Sequence, residues 1–169
     1  KIHGGILARR DKDDHIQAMQ DHNITGIDMV VINLYPFSET VQSGAGFVQC
    51  IENIDIGGPA MIRAAAKNHH DVTVITDPED YGAVLENMRK TEGAVSASLR
   101  RQLAAHAFSL TATYDSNISG WFARQLDDDH NGGDNNRSMP RRISFSGTLK
   151  QSLRYGENPH QDASLYVMD

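Results

Sequence analysis

The chain has 169 residues, about one domain at the usual ~100–200 residues, and its 39% apolar and 22% charged content excludes a collagenous or wholly disordered chain. Its 22 acidic residues outnumber the 16 lysines and arginines, giving a net charge of −6, which excludes a general polyanion binder, because phosphate-backbone binding rests on Lys and Arg. A single cysteine, Cys50, excludes an internal disulfide framework and fits a reducing compartment.

No basic segment followed by an apolar core opens the chain, so no signal peptide is visible. The apolar run at residues 27–34 is far short of the ~20 residues of a membrane span, and Asp28 interrupts it. Lys1 is not a start methionine, and the closing Leu165-Tyr166-Val167-Met168-Asp169 reads as an unfinished strand. The expectation is a chain cut from a longer polypeptide at both ends, with part of any active site outside it.

In chain order, residues 11–22 are polar with apolar Ile16 and Met19 and predict a modest surface helix. Residues 27–34, rich in β-branched side chains and bounded by Gly26 and Pro36, predict a strand buried on both faces, as in a parallel sheet. Ser43-Gly44-Ala45-Gly46 predicts a loop and residues 47–53 a short helix. Asp55-Ile56-Gly57-Gly58-Pro59 predicts a turn feeding a helix over 60–68, with Pro59 at its first position and four alanines within it. Residues 72–75 predict a second short buried strand. Asp77 caps a helix running to about Arg89, with acids in its first turn. A long alanine-rich helix follows over about 95–126, with a break expected near Gly120. Residues 127–142 form a polar, glycine-containing linker, and Ile143-Ser144-Phe145-Ser146 alternates as a half-exposed strand opening a further unit.

Strand, helix, strand, helix predicts a parallel α/β domain with helices on both faces, whose ligands bind at the carboxyl ends of the strands. Two strands make too small a sheet, so the remaining ones are expected upstream of Lys1.

Three segments could carry chemistry. Asn33-Leu34-Tyr35-Pro36-Phe37 puts an amide and a phenol at the carboxyl end of the first strand, although a tyrosine there also serves simple packing. Asp55-Ile56-Gly57-Gly58 combines a carboxylate with a helix start whose free N–H groups suit an anion or polarised oxygen, although helix capping alone also explains it. Arg63 and Lys67, at i and i+4 on one helix face, repel unless an anion lies near, although a solvated basic face is the plainer account. Nine residues at ~1.5 Å separate Gly58 from Lys67, so Lys67 serves the Asp55 site only if the helix lies alongside it or breaks early. The eight histidines show no metal-ligand spacing, and no phosphate loop or nucleophile elbow is present. His106, on an alanine-rich face, reads as a packed or solvated helical histidine.

Five motifs in order carry a resemblance over nearly the whole chain: residues 1–10 (KIHGGILARR), 33–37 (NLYPF), 54–58 (IDIGG), 63–69 (RAAAKNH) and 153–161 (LRYGENPHQ). With them the chain resembles the bifunctional purine-biosynthesis family that joins AICAR (phosphoribosylaminoimidazolecarboxamide) formyltransferase to IMP cyclohydrolase. The resemblance implies a truncated cyclohydrolase domain of methylglyoxal-synthase-like α/β fold over residues 1–126, a linker over 127–142 and the beginning of a second α/β domain, the formyltransferase, over 143–169. It implies Tyr35, Asp55 and Lys67 as catalytic residues. Asn33, Leu34, Ile56, Gly57 and Gly58 would line the base side, and Arg154 and Tyr155 would contact AICAR in the formyltransferase. It implies no metal and no cofactor for the cyclisation, 10-formyltetrahydrofolate as co-substrate of the formyltransferase, and AICAR, formyl-AICAR and IMP as small-molecule partners. A cytoplasmic homodimer that binds neither nucleic acid nor membrane is the further expectation. The family's upstream Lys-Thr-Leu-His-Pro segment is absent. The competing expectation is a regulatory effector-binding module of the same fold, without catalysis.

Overall fold

The structure, a computed structural model, describes residues 1–130 and 141–168. The chain divides into two compact units, Lys1–Thr111 and Ala112–Asp169.

The first unit begins with α1 (Ile2–Leu7) and α2 (Asp13–Asp21). Next come β1 (Met29–Val31), α3 (Phe37–Gln42), α4 (Phe47–Glu52) and α5 (Gly57–Lys67). They are followed by β2 (Thr73–Ile75), a 3₁₀ turn at Pro78–Asp80, and α6 (Tyr81–Lys90). Helix α7 (Ala97–His130) begins in this unit. The surface helix, the second strand and the Asp77 cap thus form where expected: the Asp77 carboxylate accepts the Glu79 N–H at 2.9 Å. Helix α1 was not anticipated from the sequence. Its Gly5 sits so close to the next segment that a Cβ there would run into the Thr25 carbonyl oxygen.

β1 and β2 pair in parallel, Met29 opposite Thr73 and Val31 opposite Ile75, and the Ile32 N–H extends the ladder to the Ile75 carbonyl at 3.0 Å. Side chains alternate across the strands, so each face has its own core. Val30 and Val74 pack with Ile62, Ala65 and Ala66 of α5 and with Ile6 of α1. Met29 and Ile75 pack with Val84 and Met88 of α6 and with Leu103 of α7. Helices therefore cover both faces. The alanines of α5 let it lie close on the strands, which is why Ala65 and Ala66 are fully buried.

Four expectations are corrected. First, β1 is shorter than residues 27–34 and is not buried throughout: Val31, on the α6 face, is 50% exposed, because the core on that face reaches Met29 but not Val31. Second, α5 starts at Gly57, so Pro59 is its third residue; the first turn has no intrahelical use for that N–H and tolerates proline there. Third, α7 runs unbroken past Gly120, whose cost of ~1 kcal/mol is spread over a 34-residue helix. Fourth, the strand predicted at 143–146 forms later, as β3 (Gly147–Ser152). Hydrogen bonding to β4 (Ser164–Met168) decides that position.

The second unit holds the rest of α7 and the antiparallel pair β3–β4, with Gly147 opposite Met168 and Ser152 opposite Ser164. Every residue of both strands is exposed. The predicted linker at 127–142 lies mostly outside the described residues.

Candidate functional site

β1 ends at Val31, and the chain then passes through Asn33, Leu34 and Tyr35 before Pro36 opens α3. The Asn33 amide Nδ2 donates to the Thr76 carbonyl at 3.1 Å, tying together the carboxyl ends of the two strands. The next turn meets the start of α5. Asp55 Oδ1 accepts the Gly58 N–H at 2.7 Å, and Asp55 Oδ2 accepts the Tyr35 N–H at a longer 3.4 Å. One carboxylate thus joins the strand-end tyrosine to a helix N-terminus. A single glycine permits this closeness: a Cβ on Gly58 would stand 2.6 Å from Asp55 Oδ2 and 2.8 Å from Leu34 Cδ2. Gly58 is buried, Asp55 half-buried, and the Tyr35 side chain 57% exposed, so the phenol faces outward from a fixed backbone.

Ile56 and Gly57 are exposed at the mouth of this corner. The residues exposed along α5 continue from them: Ile56, Ala60, Arg63 and Lys67 follow one another at four-, three- and four-residue steps, which is one helix stripe. Lys67 closes the helix, ten residues and ~15 Å along the axis from Gly57. The helix does not break, so Lys67 is not brought beside Asp55. It belongs to the same stripe and, like any helical side chain, leans back towards the N-terminus. Arg63 lies between the two, with its guanidinium 5.6 Å from the centre of the Phe108 ring, a cation–π contact that offsets part of the repulsion from Lys67.

The turn after Lys67 is held from two sides. The buried Asn68 amide donates to the Ile6 and Ala8 carbonyls at 2.8 and 3.2 Å. Arg100, in the first turn of α7, donates from Nε to the His69 carbonyl at 2.9 Å, from Nη2 to the His70 carbonyl at 2.7 Å, and from Nη1 to the Val95 carbonyl. Sequence reasoning missed Thr76, Phe108 and Arg100. A lone arginine or aromatic on a long helix carries no motif, and only the partner reveals its use. His106 differs from the plain reading in one respect: its Nδ1 lies 3.6 Å from Asp80 Oδ2, beside a cavity of about 240 Å³ that Thr76, Asp77, Glu79 and Leu110 also line.

Arg154 and Tyr155 belong to the second unit. They follow β3 in a connection whose turn is closed by the Gly156 N–H to the Gln161 carbonyl at 2.7 Å and by the Asn158 N–H to Gln161 Oε1 at 2.9 Å. Both side chains are exposed.

Among the described residues no three His, Cys, Asp or Glu side chains are placed to hold a metal ion, and no helix is long and apolar enough to cross a membrane.

Residues 65–169 match the family described as AICARFT/IMPCHase bienzyme, and residues 2–60 match the MGS-like domain. The chain is 57% identical over 167 residues to the bifunctional purine biosynthesis protein PurH of Bradyrhizobium diazoefficiens. It is 53% identical over 166 residues to that of Roseobacter denitrificans and 55% to that of Rhodospirillum rubrum. These alignments cover 98–99% of the chain and 30% of each relative, so the chain spans about 30% of the length of these curated relatives. A solved structure titled "Crystal structure of ForH" superposes with a TM-score of 0.59 at 35% identity, covering 71% of this chain and 62% of that one.

Proposed function

The chain belongs to the AICARFT/IMPCHase bienzyme family, and from that premise we propose that the protein performs the last two steps of purine-ring synthesis. In the first, a formyl group passes from 10-formyltetrahydrofolate to AICAR; in the second, formyl-AICAR closes to IMP with loss of water. Residues 1–126 supply much of the cyclohydrolase, 127–142 the linker, and 143–169 the beginning of the formyltransferase.

Ring closure requires the carboxamide nitrogen to attack the formyl carbon and give up a proton, the resulting oxygen to be protonated and depart as water, and the formamide nitrogen to give up its proton as the ring C=N bond forms. It needs a base, stabilisation of a tetrahedral oxyanion, and an acid. The Asp55 carboxylate, aimed by the Gly58 N–H, is the base for the amide proton. Tyr35 orients the formamide with its exposed phenol, from a backbone pinned to the same carboxylate. Asn33, Leu34, Ile56, Gly57 and Gly58 line the base side. The substrate lies along the exposed stripe of α5. Lys67 reaches back to it from the far end, balancing charge on the oxygen and protonating it as it leaves. The cyclisation takes no cofactor. Arg154 and Tyr155 contact AICAR in the formyltransferase, and the protein works as a cytoplasmic homodimer.

The observation that carries this reading is the Asp55 carboxylate's contact with both the Tyr35 and Gly58 backbone N–H groups, which brings a carboxylate and a helix N-terminus to the segment that leaves the carboxyl end of β1. A regulatory module of the same fold would leave the family match over residues 65–169 without a role. The test is IMP formation from formyl-AICAR by the full-length protein, with Asp55→Ala and Lys67→Ala compared. Loss of cyclisation in both supports the assignment, and an unchanged rate in either refutes that residue's role.

A further inference from the structure

We propose that Arg100 is a positioning residue for Lys67, an inference that rests on the cyclohydrolase reading above. Lys67 is the last residue of α5, so the placement of its exposed side chain depends on how firmly that helix end is held. The last carbonyls of a helix lack intrahelical partners, and at this end the Asn68 and His69 N–H groups take those of Ala64 and Ala66. Here the two carbonyls of the following turn, His69 and His70, are both taken by one guanidinium. The same guanidinium also grips the Val95 carbonyl, just before α7. The planar fork of arginine is suited to this: three donors in one rigid plane fix the turn relative to α7, which a single ammonium on a flexible stem cannot do. Arg100 belongs to the first turn of α7, and the body of that helix is packed into both cores through Leu103, Ala104 and Ala107. The aim of Lys67 is therefore referred to the core of the unit. Asn68 holds the opposite side of the same turn against α1. Arg100 also places a positive charge at the carboxyl end of α5, where the helix dipole favours it.

The test is a double-mutant cycle in the full-length enzyme, with cyclisation and formyl transfer assayed separately. Arg100→Gln is expected to lower the cyclisation kcat about tenfold with KM within about twofold and formyl transfer unchanged. In the Lys67→Gln background the same change is expected to cost less than twofold, because the residue it aims is already gone. Losses that multiply in the two backgrounds overturn the proposal, as does an unchanged kcat in folded Arg100→Gln. If Arg100→Gln is unfolded by circular dichroism, Arg100→Lys decides, since it keeps the charge and loses the fork. A kcat reduced at least threefold that disappears in the Lys67→Gln background supports the proposal, and wild-type kcat overturns it. Full activity of Lys67→Gln alone overturns the catalytic role of Lys67 itself. An inactive Lys67→Gln beside a fully active Arg100→Gln overturns only the positioning role.

Discussion

A Cβ on Gly58 would stand 2.6 Å from Asp55 Oδ2, closer than real side chains approach. That contact explains the glycine at a helix start better than backbone freedom does, since the carboxylate occupies the space a side chain would need.

Gly58→Ala is therefore expected to cost ~1–3 kcal/mol of stability, the usual range for overpacking, and to push Asp55 off the Gly58 N–H. Thermal unfolding and the cyclisation rate check it together. Wild-type values for both would show that Asp55 and Leu34 move aside freely.

Asp55→Asn keeps an acceptor for the Gly58 N–H but removes the proposed base. The expectation is a cyclisation kcat lower by roughly 10²–10⁴, the range for losing a general base, with formyl transfer unchanged. Tyr35→Phe leaves the Tyr35 N–H in place and is expected to have a smaller effect, because only the phenol oxygen is lost. A larger loss in Tyr35→Phe than in Asp55→Asn would reverse the two roles.

Asp71 gives a pH signature outside the site. Burial pushes its carboxyl up, but hydrogen bonds from the Arg10 backbone N–H and from His70 pull it down further, leaving it below the ordinary carboxylate range. A carboxylate whose pKa is lower folded than unfolded contributes stability that is present above ~4 and lost as pH falls through the folded value. Asp71→Asn is expected to be less stable than the parent at pH 7 and to lose less on going to pH 3. Urea midpoints at the two pH values measure this, and equal losses in the two proteins would contradict it.

Gly120 lies within α7, and a Cβ there would meet only Arg124 Nη1 at an ordinary 3.6 Å. Gly120→Ala is expected to raise stability by ~0.5–1 kcal/mol, seen as a higher Tm. A fall would mean that the position does not behave as ordinary helix.

The strand-helix-strand-helix order was legible because each element carries its own signal. Thr73–Ile75 is β-branched throughout, Asp77-Pro78 marks a helix start, and alanines fill α5. The exposure of Val31 was not, since how far a covering helix reaches is not written in the strand it covers. The start of β3 at Gly147 rather than near Ile143 was also out of reach, because pairing with β4 decides it and not local alternation. At the site, Tyr35, Asp55 and Gly58 were legible as residue types suited to the chemistry. Arg100 and Phe108 were not, because their meaning lies in partners about 30 to 45 residues away.

By itself the sequence determined which segments could be helix or strand, that the sheet would be parallel, and which side chains could bear protons. These follow from local composition and period, which are properties of neighbours in the chain. Only the tertiary structure decided that one carboxylate links the Tyr35 and Gly58 backbones, and that Lys67 stands at the far end of an unbroken helix, before a turn that Arg100 of α7 grips. Both are set by packing between residues distant in the chain, where a few ångströms separate a bond from no contact at all.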